Sequence, residues 1–209
     1  MKQIVIIGAG GFGREVAWLI EEINKESPTW DLKGFIDEDP LLEGKVLNGY
    51  KVIGGIESIK KENLYACIAI GSPQVKKEIV KKLQGTNIKY ANLIHPNVVK
   101  SSYITYGQGC IICAGNILTV NIEIGDHVII NLDCTIGHDV RIGSYSTILP
   151  STNISGYDII GESVTIGTGT KIIQGLSIGE NAIIGAGSTV IRDIDSSCTV
   201  VGSPARVIK

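Results

Sequence analysis

From residue 112 to residue 190, every sixth residue of this chain is aliphatic. The series holds fourteen positions, from Ile112 and Leu118 through Ile184 to Val190, without a break. A period of six fits neither a helix, at about 3.6 residues per turn, nor the alternation of an ordinary strand. It fits a chain that turns a corner every six residues. Each short flat strand then points one aliphatic side chain inward, and a glycine or small residue takes the tight turn. Glycine follows the aliphatic residue at Gly125, Gly137, Gly143, Gly161, Gly167, Gly179 and Gly185. The position four after it is small or β-branched at Val128, Cys134, Ser146 and Thr152, among others. Three sides close a coil of 18 residues. Stacked coils pair their backbones at a spacing of ~4.8 Å, so nearly five coils make a column on the order of 23 Å tall. The unbroken period predicts that no long loop leaves the column. Composition agrees: 26 of the 209 residues are Gly, against 2 Phe, 2 Trp and 1 Met, so no ordinary aromatic core is being built.

The first ninety residues follow another pattern. "KQIVIIGAGGFGREVAWLI" reads as a buried strand, a glycine turn and a helix. Gly8, Gly10 and Gly13 complete G-x-G-x-x-G, which turns backbone N–H groups and a helix N-terminus toward a phosphate. A second strand, "LKGFID", ends at Asp37 and Glu38, where a ribose-binding acid would lie. "YACIAIGS" is another buried strand, closing at Gly71, and a helix follows over 73–84. A full dinucleotide fold needs about 150 residues, so this segment is one half of it and suits a single nucleotide. Tight strand–helix packing alone would also call for such glycines.

The net charge of −2 argues against a nucleic-acid or anionic-membrane surface. Lys76, Lys77, Lys81 and Lys82 read as the solvated face of the second helix. The opening apolar run is too short for a signal peptide, and no run reaches the ~18 residues of a membrane span, so no membrane insertion is expected. The 5 cysteines suggest reduced thiols and a cytoplasmic location. Cys110 and Cys113 form a lone C-x-x-C without a second pair or a histidine cluster, so no metal site is expected. His127 reads as a solvated residue and His95, before Pro96, as a structural one.

"IIGAGGFGREV", "FIDED", "AIG", "NLIHP", "GHDVRIG" and "VVGSPARVI" occur in that order along nearly the whole chain. Together they resemble the bacterial sialic acid O-acetyltransferase and nucleotide-4-amino-sugar N-acetyltransferase family, a group of hexapeptide-repeat acyltransferases. The resemblance implies a Rossmann-like α/β half-domain over 1–92 that binds a nucleotide sugar. It implies a left-handed parallel β-helix over 93–209 that carries acetyl transfer from acetyl-CoA; the hand comes from the resemblance alone. It also implies a homotrimer with active sites between subunits, in bacterial surface glycan biosynthesis. Residue by residue, it makes His138 the general base and Asp139 the acid that raises its basicity. Gly10, Gly11, Phe12, Asp37, Glu38 and Gly71 would hold the nucleotide sugar. Thr147, Thr168 and Ala186 would contact acetyl-CoA, the last two lying 18 residues apart on one edge. Many members have histidine where this chain has Phe12, and some where it has Thr147.

An amine or hydroxyl attacking a thioester must lose a proton, and a positioned imidazole accepting it contributes typically ~10²–10⁴-fold. A carboxylate on the other ring nitrogen would fix the tautomer. Neighbouring residues on a flat strand point to opposite faces, which counts against a direct His138–Asp139 pair; a corner, or a neighbouring subunit, would change that. Competing readings are O-acetylation of a sialic acid, an NAD-dependent oxidoreductase built on the glycine motif, and a non-enzymatic sugar-nucleotide-binding β-helix. The half-length nucleotide fold counts against the oxidoreductase, and His138 with the "GSPAR" tail counts against the non-enzymatic reading.

Overall fold

The computed structural model describes all of residues 1–209. The chain opens with β1 (Lys2–Ile7), α1 (Gly11–Glu26), β2 (Trp30–Ile36), β3 (Val46–Leu47) and β4 (Tyr50–Gly54). β5 (Tyr65–Ile68), α2 (Pro73–Lys82) and β6 (Lys89–Tyr90) follow. The strands lie in the order β3-β4-β2-β1-β5-β6, all parallel except the β3–β4 hairpin. Ile4, Val5 and Ile6 of β1 are at most 1% exposed, as a strand covered on both faces requires. The glycine motif permits one close approach: a Cβ on Gly13 would stand 2.0 Å from the Gly8 carbonyl oxygen. Glycine there lets α1 pack hard against the loop that precedes it.

From Leu93 the chain winds into a β-helix of three parallel sheets. The first face contains Ile111–Ile112, Ile129–Ile130, Thr147–Ile148, Thr165–Ile166 and Ile183–Ile184. The second contains Ile117–Leu118, Thr135–Ile136, Asn153–Ile154, Lys171–Ile172 and Thr189–Val190. The third contains Ile122–Ile124, Arg141–Ile142, Ile159–Ile160 and Ser177–Ile178. Register is 18 residues per coil, as in Thr147↔Thr165 and Ile148↔Ile166. All fourteen periodic aliphatic residues point inward and none is more than 4% exposed. At the far end, Thr199–Val201 extends the first face and Arg206–Val207 pairs back on it antiparallel.

The tight turns fall elsewhere than expected. The left-handed residues stand three after each aliphatic, at Asn121, His127, Asp133, Asp139, Tyr145, Ser151 and Tyr157, with φ between 54° and 63°. The glycines just after the aliphatic residue have another task. A Cβ on Gly143 would lie 2.5 Å from the Glu162 nitrogen, and one on Gly167 would lie 2.4 Å from the Ala186 nitrogen. These positions are glycine because the next coil rests directly on them.

On the first face the outward residues of the earlier coils are buried, with Ile111 at 0%, Ile129 at 1% and Thr147 at 2% exposure, while Ile183 further along is 48% exposed. On the other faces Ile117 and Ile159 are 43% and 48% exposed. The difference arises because the α/β segment covers the first face over the coils of Ile111, Ile129 and Thr147. Ile111, Cys113 and Ile129 share a hydrophobic cluster with Val16 and Ile20 of α1. Lys76 corrects the expectation of a solvated lysine face. It is 0% exposed, and its Nζ donates to the carbonyls of His127 (2.9 Å) and Ser146 (3.2 Å) and to the Thr147 hydroxyl (3.0 Å). Lys77 is ion-paired with Glu162. No helix is long and apolar enough to cross a membrane.

Candidate active site

His138 and Asp139 lie at the corner between the second and third faces. Asp139 adopts φ 58°, and this left-handed turn folds its carboxylate back beside the preceding ring. His138 Nδ1 is 2.9 Å from Asp139 Oδ2, which answers the question of a direct pair. The second carboxylate oxygen, Oδ1, accepts from Asn121 Nδ2 at 3.1 Å, one coil below. The hydrogen bond with His138, then that from Asn121, hold the Asp139 carboxyl below its ordinary pKa. With Nδ1 donating to a carboxylate, Nε2 is left as the basic nitrogen. The His138 side chain is 47% exposed, and Nε2 has no hydrogen-bond partner within the chain.

Two residues of the next coil confine the ring. A Cβ on Gly156 would lie 2.5 Å from Cε1 and 2.6 Å from Nε2 of His138, so only glycine leaves room for the imidazole there. The Tyr157 ring meets the imidazole edge-on, with centroids 4.8 Å apart. The pair thus sits on the prism edge opposite the face that the α/β segment covers.

In the α/β segment a cavity of about 310 Å³ opens at the carboxyl ends of β1 and β2 and beside α2. It lies where a parallel sheet of this kind takes ligands. Asp37 and Glu38 line it together with Gly8, Ile56, Val75 and Glu78. Both acids also shape their surroundings. Asp37 accepts from Ala9 N at 2.8 Å and Asp39 N at 3.0 Å, and Glu38 accepts from Ile56 N at 2.9 Å. Gly10 and Gly11 are exposed at the start of α1, whose first turn has no side-chain cap and no acidic residue. Those N–H groups are free for an anion. Phe12 is instead partly buried against the core beneath α1. Gly71 is exposed, and its carbonyl accepts from the Thr147 hydroxyl at 2.8 Å.

Thr168 and Ala186 are exposed and stacked one coil apart, with Gly187 N donating to Thr168 O at 2.8 Å. They stand on the corner between the first and second faces. Thr147 departs from its expected role as an acetyl-CoA contact. It is 2% exposed, and its hydroxyl is committed to Gly71 and Lys76. His127 is also corrected: it is 1% exposed, between Tyr90 at 4.5 Å and Tyr145 at 5.3 Å, with neither ring nitrogen hydrogen-bonded. Burial pushes its pKa down to about 4. His95 is 8% exposed and accepts from Asn97 N at 3.1 Å. Tyr157 and Lys76 were missed from sequence. Nothing local marks Lys76, whereas Tyr157 occupies the coil position directly above Asp139 and could have been found by the 18-residue step.

A hexapeptide β-helix with an exposed His–Asp corner, joined to a nucleotide-type α/β half, defines a class. The chain belongs to the hexapeptide-repeat acyltransferases, in the branch that carries a PglD N-terminal domain. The PglD N-terminal domain matches residues 3–83, and the bacterial transferase hexapeptide (six repeats) matches residues 159–192. GDP-perosamine N-acetyltransferase of Escherichia coli O157:H7 is 32% identical over 100% of this chain and 97% of its own. The acetyltransferase domain of PglB from Neisseria gonorrhoeae FA1090, in complex with acetyl coenzyme A, superimposes with a TM-score of 0.88 at 30% identity, covering 99% of each chain. A histidine-to-asparagine mutant of perosamine N-acetyltransferase from Caulobacter crescentus, in complex with CoA and GDP-perosamine, gives 0.89 at 28% identity, covering 100% of this chain and 98% of the other.

Proposed function

We infer that this protein is an acetyl-CoA-dependent N-acetyltransferase whose acceptor is the amine of a nucleotide-linked amino sugar. The observation that carries the reading is the His138–Asp139 pair, a base with one nitrogen fixed and the other open. The perosamine N-acetyltransferases and the PglB domain, with the ligands bound to them, support the two substrates. Residues 1–92 act as the nucleotide-sugar-binding domain and residues 93–209 as the acetyltransferase domain. The nucleotide sugar occupies the Asp37–Glu38 cavity, with its phosphates on the N–H groups of Gly10 and Gly11 beside Gly71. Acetyl-CoA lies along the edge of Thr168 and Ala186. His138 takes the proton as the amine attacks the thioester carbonyl.

His138 stands on the edge opposite the face its own α/β segment covers. A sugar nucleotide held by that segment therefore meets the His138 of another copy. This supports a homotrimer with sites between subunits, which closes by cyclic symmetry. Three 22.3 kDa chains give about 67 kDa; a monomer by light scattering at micromolar concentration would remove the shared site. The free cysteines suit a reducing compartment, and we place the enzyme in the cytoplasm, in surface glycan biosynthesis.

The decisive assay is acetyl-CoA turnover against UDP-, dTDP- and GDP-linked 4-amino sugars, with free sialic acid included. Turnover is expected with a nucleotide amino sugar. Turnover with sialic acid alone would replace the reading with O-acetylation, and no turnover with any acceptor would overturn it.

A further inference from the structure

Tyr157 occupies the corner directly above Asp139, at φ 61°. The same edge carries Asn121, Asp139 and Gly175 in that conformation. Asn, Asp and Gly are the residues that adopt it readily, and an aromatic side chain is not. Tyr157 gains little from the fold in return: it is 61% exposed, and its hydroxyl makes no hydrogen bond within the chain. Its one close packing partner among the aromatic rings is the His138 imidazole, edge-on at 4.8 Å. Unfavourable local conformations that are kept at such corners point to function.

We propose that Tyr157 is a positioning residue of the transfer site, holding the His138 ring upright between Asp139 and Gly156 with Nε2 directed outward. The inference rests on the reading of His138 as the base. Asp139 alone fixes Nδ1 but leaves the imidazole free to swing about that hydrogen bond. Gly156 blocks one direction of swing and the Tyr157 ring blocks another. The role belongs to the aromatic ring and not to the hydroxyl, because only the ring meets the imidazole.

Tyr157→Asn tests this without straining the fold, since Asn121 already serves at the same edge two coils below. Its melting temperature should match or exceed that of the wild type. Its kcat should fall roughly 3- to 10-fold, the worth of an aromatic contact, with KM for both substrates unchanged. Tyr157→Phe should restore kcat. The chain has only 3 histidines, so the His138 tautomer can be followed by 15N NMR. The Nδ1–H form should dominate in the wild type and in Tyr157→Phe, and its share should drop in Tyr157→Asn. Unchanged kcat in Tyr157→Asn, a fall in kcat with an unchanged tautomer, or a Tyr157→Phe variant as slow as Tyr157→Asn would each overturn the proposal. Should Tyr157→Asn fail to fold, Tyr157→Gly, matching Gly175, gives the same comparison. A wild type inactive on every nucleotide amino sugar would overturn the functional reading, and the tautomer comparison then decides the positioning role by itself.

Discussion

Lys76 on α2 donates to the Thr147 hydroxyl at 3.0 Å, and Thr147 in turn donates to the Gly71 carbonyl 2.8 Å away. The buried Lys76 amino group therefore ties α2, the end of the β5 loop and the first face of the β-helix into a single hydrogen-bonded chain. Through it, the loop at one side of the Asp37–Glu38 cavity is registered against the coil that carries Thr147. A buried polar group is kept only when its bonds are made, and this one makes three.

Burial pushes the Lys76 pKa down to about 7. The native state therefore binds fewer protons than the unfolded chain between pH 7 and the ordinary lysine range near 10.5. The contribution of Lys76 to stability rises with pH across that window and is smallest below pH 7. Lys76→Met should lose ~1–3 kcal/mol through the missing hydrogen bonds. It should also flatten the difference in stability between pH 7 and pH 9.5. Urea unfolding of both proteins at the two pH values measures this, and an unchanged pH difference in Lys76→Met would locate the titration elsewhere.

Asp158 shows the opposite sign. Its side chain fills an inward corner slot at 0% exposure, where Oδ1 accepts from Leu176 N at 2.8 Å and Oδ2 has no partner. Desolvation raises its pKa to about 6, against the backbone hydrogen bonds that lower it. The native state therefore holds a proton that the unfolded chain has released between about pH 4 and pH 6. Stability falls as pH rises through that window and stays lower above it. Asp158→Asn keeps an acceptor for Leu176 N and removes the charge. It should be more stable at pH 7.5, by on the order of 1–2 kcal/mol, and nearly equal to the wild type at pH 4. Thermal unfolding at pH 4 and 7.5 checks both halves.

The β-helix was legible because its rule is repeated: fourteen inward aliphatic residues at one period leave little else to build. The turn position was misread for a specific reason. The eye goes to the glycines one after each aliphatic, but those answer to the coil above them. The left-handed slot, three after, carries its own sign in Asn121, Asp133, Asp139, Gly169 and Gly175, residues that tolerate that conformation. Reading that slot would have placed Asp139 on a corner and its carboxylate beside His138. Lys76, His127 and Thr147 were not legible in this way. Lys76 and Thr147 are buried by contact between segments 70 to 76 residues apart, and His127 by Tyr90 and Tyr145, so a polar side chain in a surface position looks solvated until its cover is known.

Gly156→Ala is a direct test of the imidazole's confinement. Gly156 does not have a positive φ, so alanine meets no backbone penalty. Its Cβ would stand 2.5 Å from the His138 ring, and the ring must swing away from Asp139 to admit it. The expected result is a fall in kcat of roughly 10- to 100-fold, with little change in melting temperature. A variant with wild-type kcat would show that the ring position seen here is not needed for turnover.

His138→Ala should lower kcat by a factor on the order of 10²–10⁴ while leaving acetyl-CoA binding nearly intact, since the imidazole is asked only to take a proton. Asp139→Asn should act in the same direction and less strongly. The amide can still hydrogen-bond Nδ1 or Asn121, but it cannot stabilise the imidazolium by charge. Direct attack needs both substrates in place, so initial-rate patterns should be sequential. No acetylated enzyme should form with acetyl-CoA alone: four of the five cysteines are buried, and burial pushes the thiols of Cys110, Cys113 and Cys134 up to between about 11 and about 12, away from nucleophilic use. Mass spectrometry of the enzyme incubated with acetyl-CoA but no acceptor reads this directly. An accumulating acetyl adduct would replace direct attack with a covalent route. Near-normal turnover of His138→Ala at saturating substrate would move the base to another group.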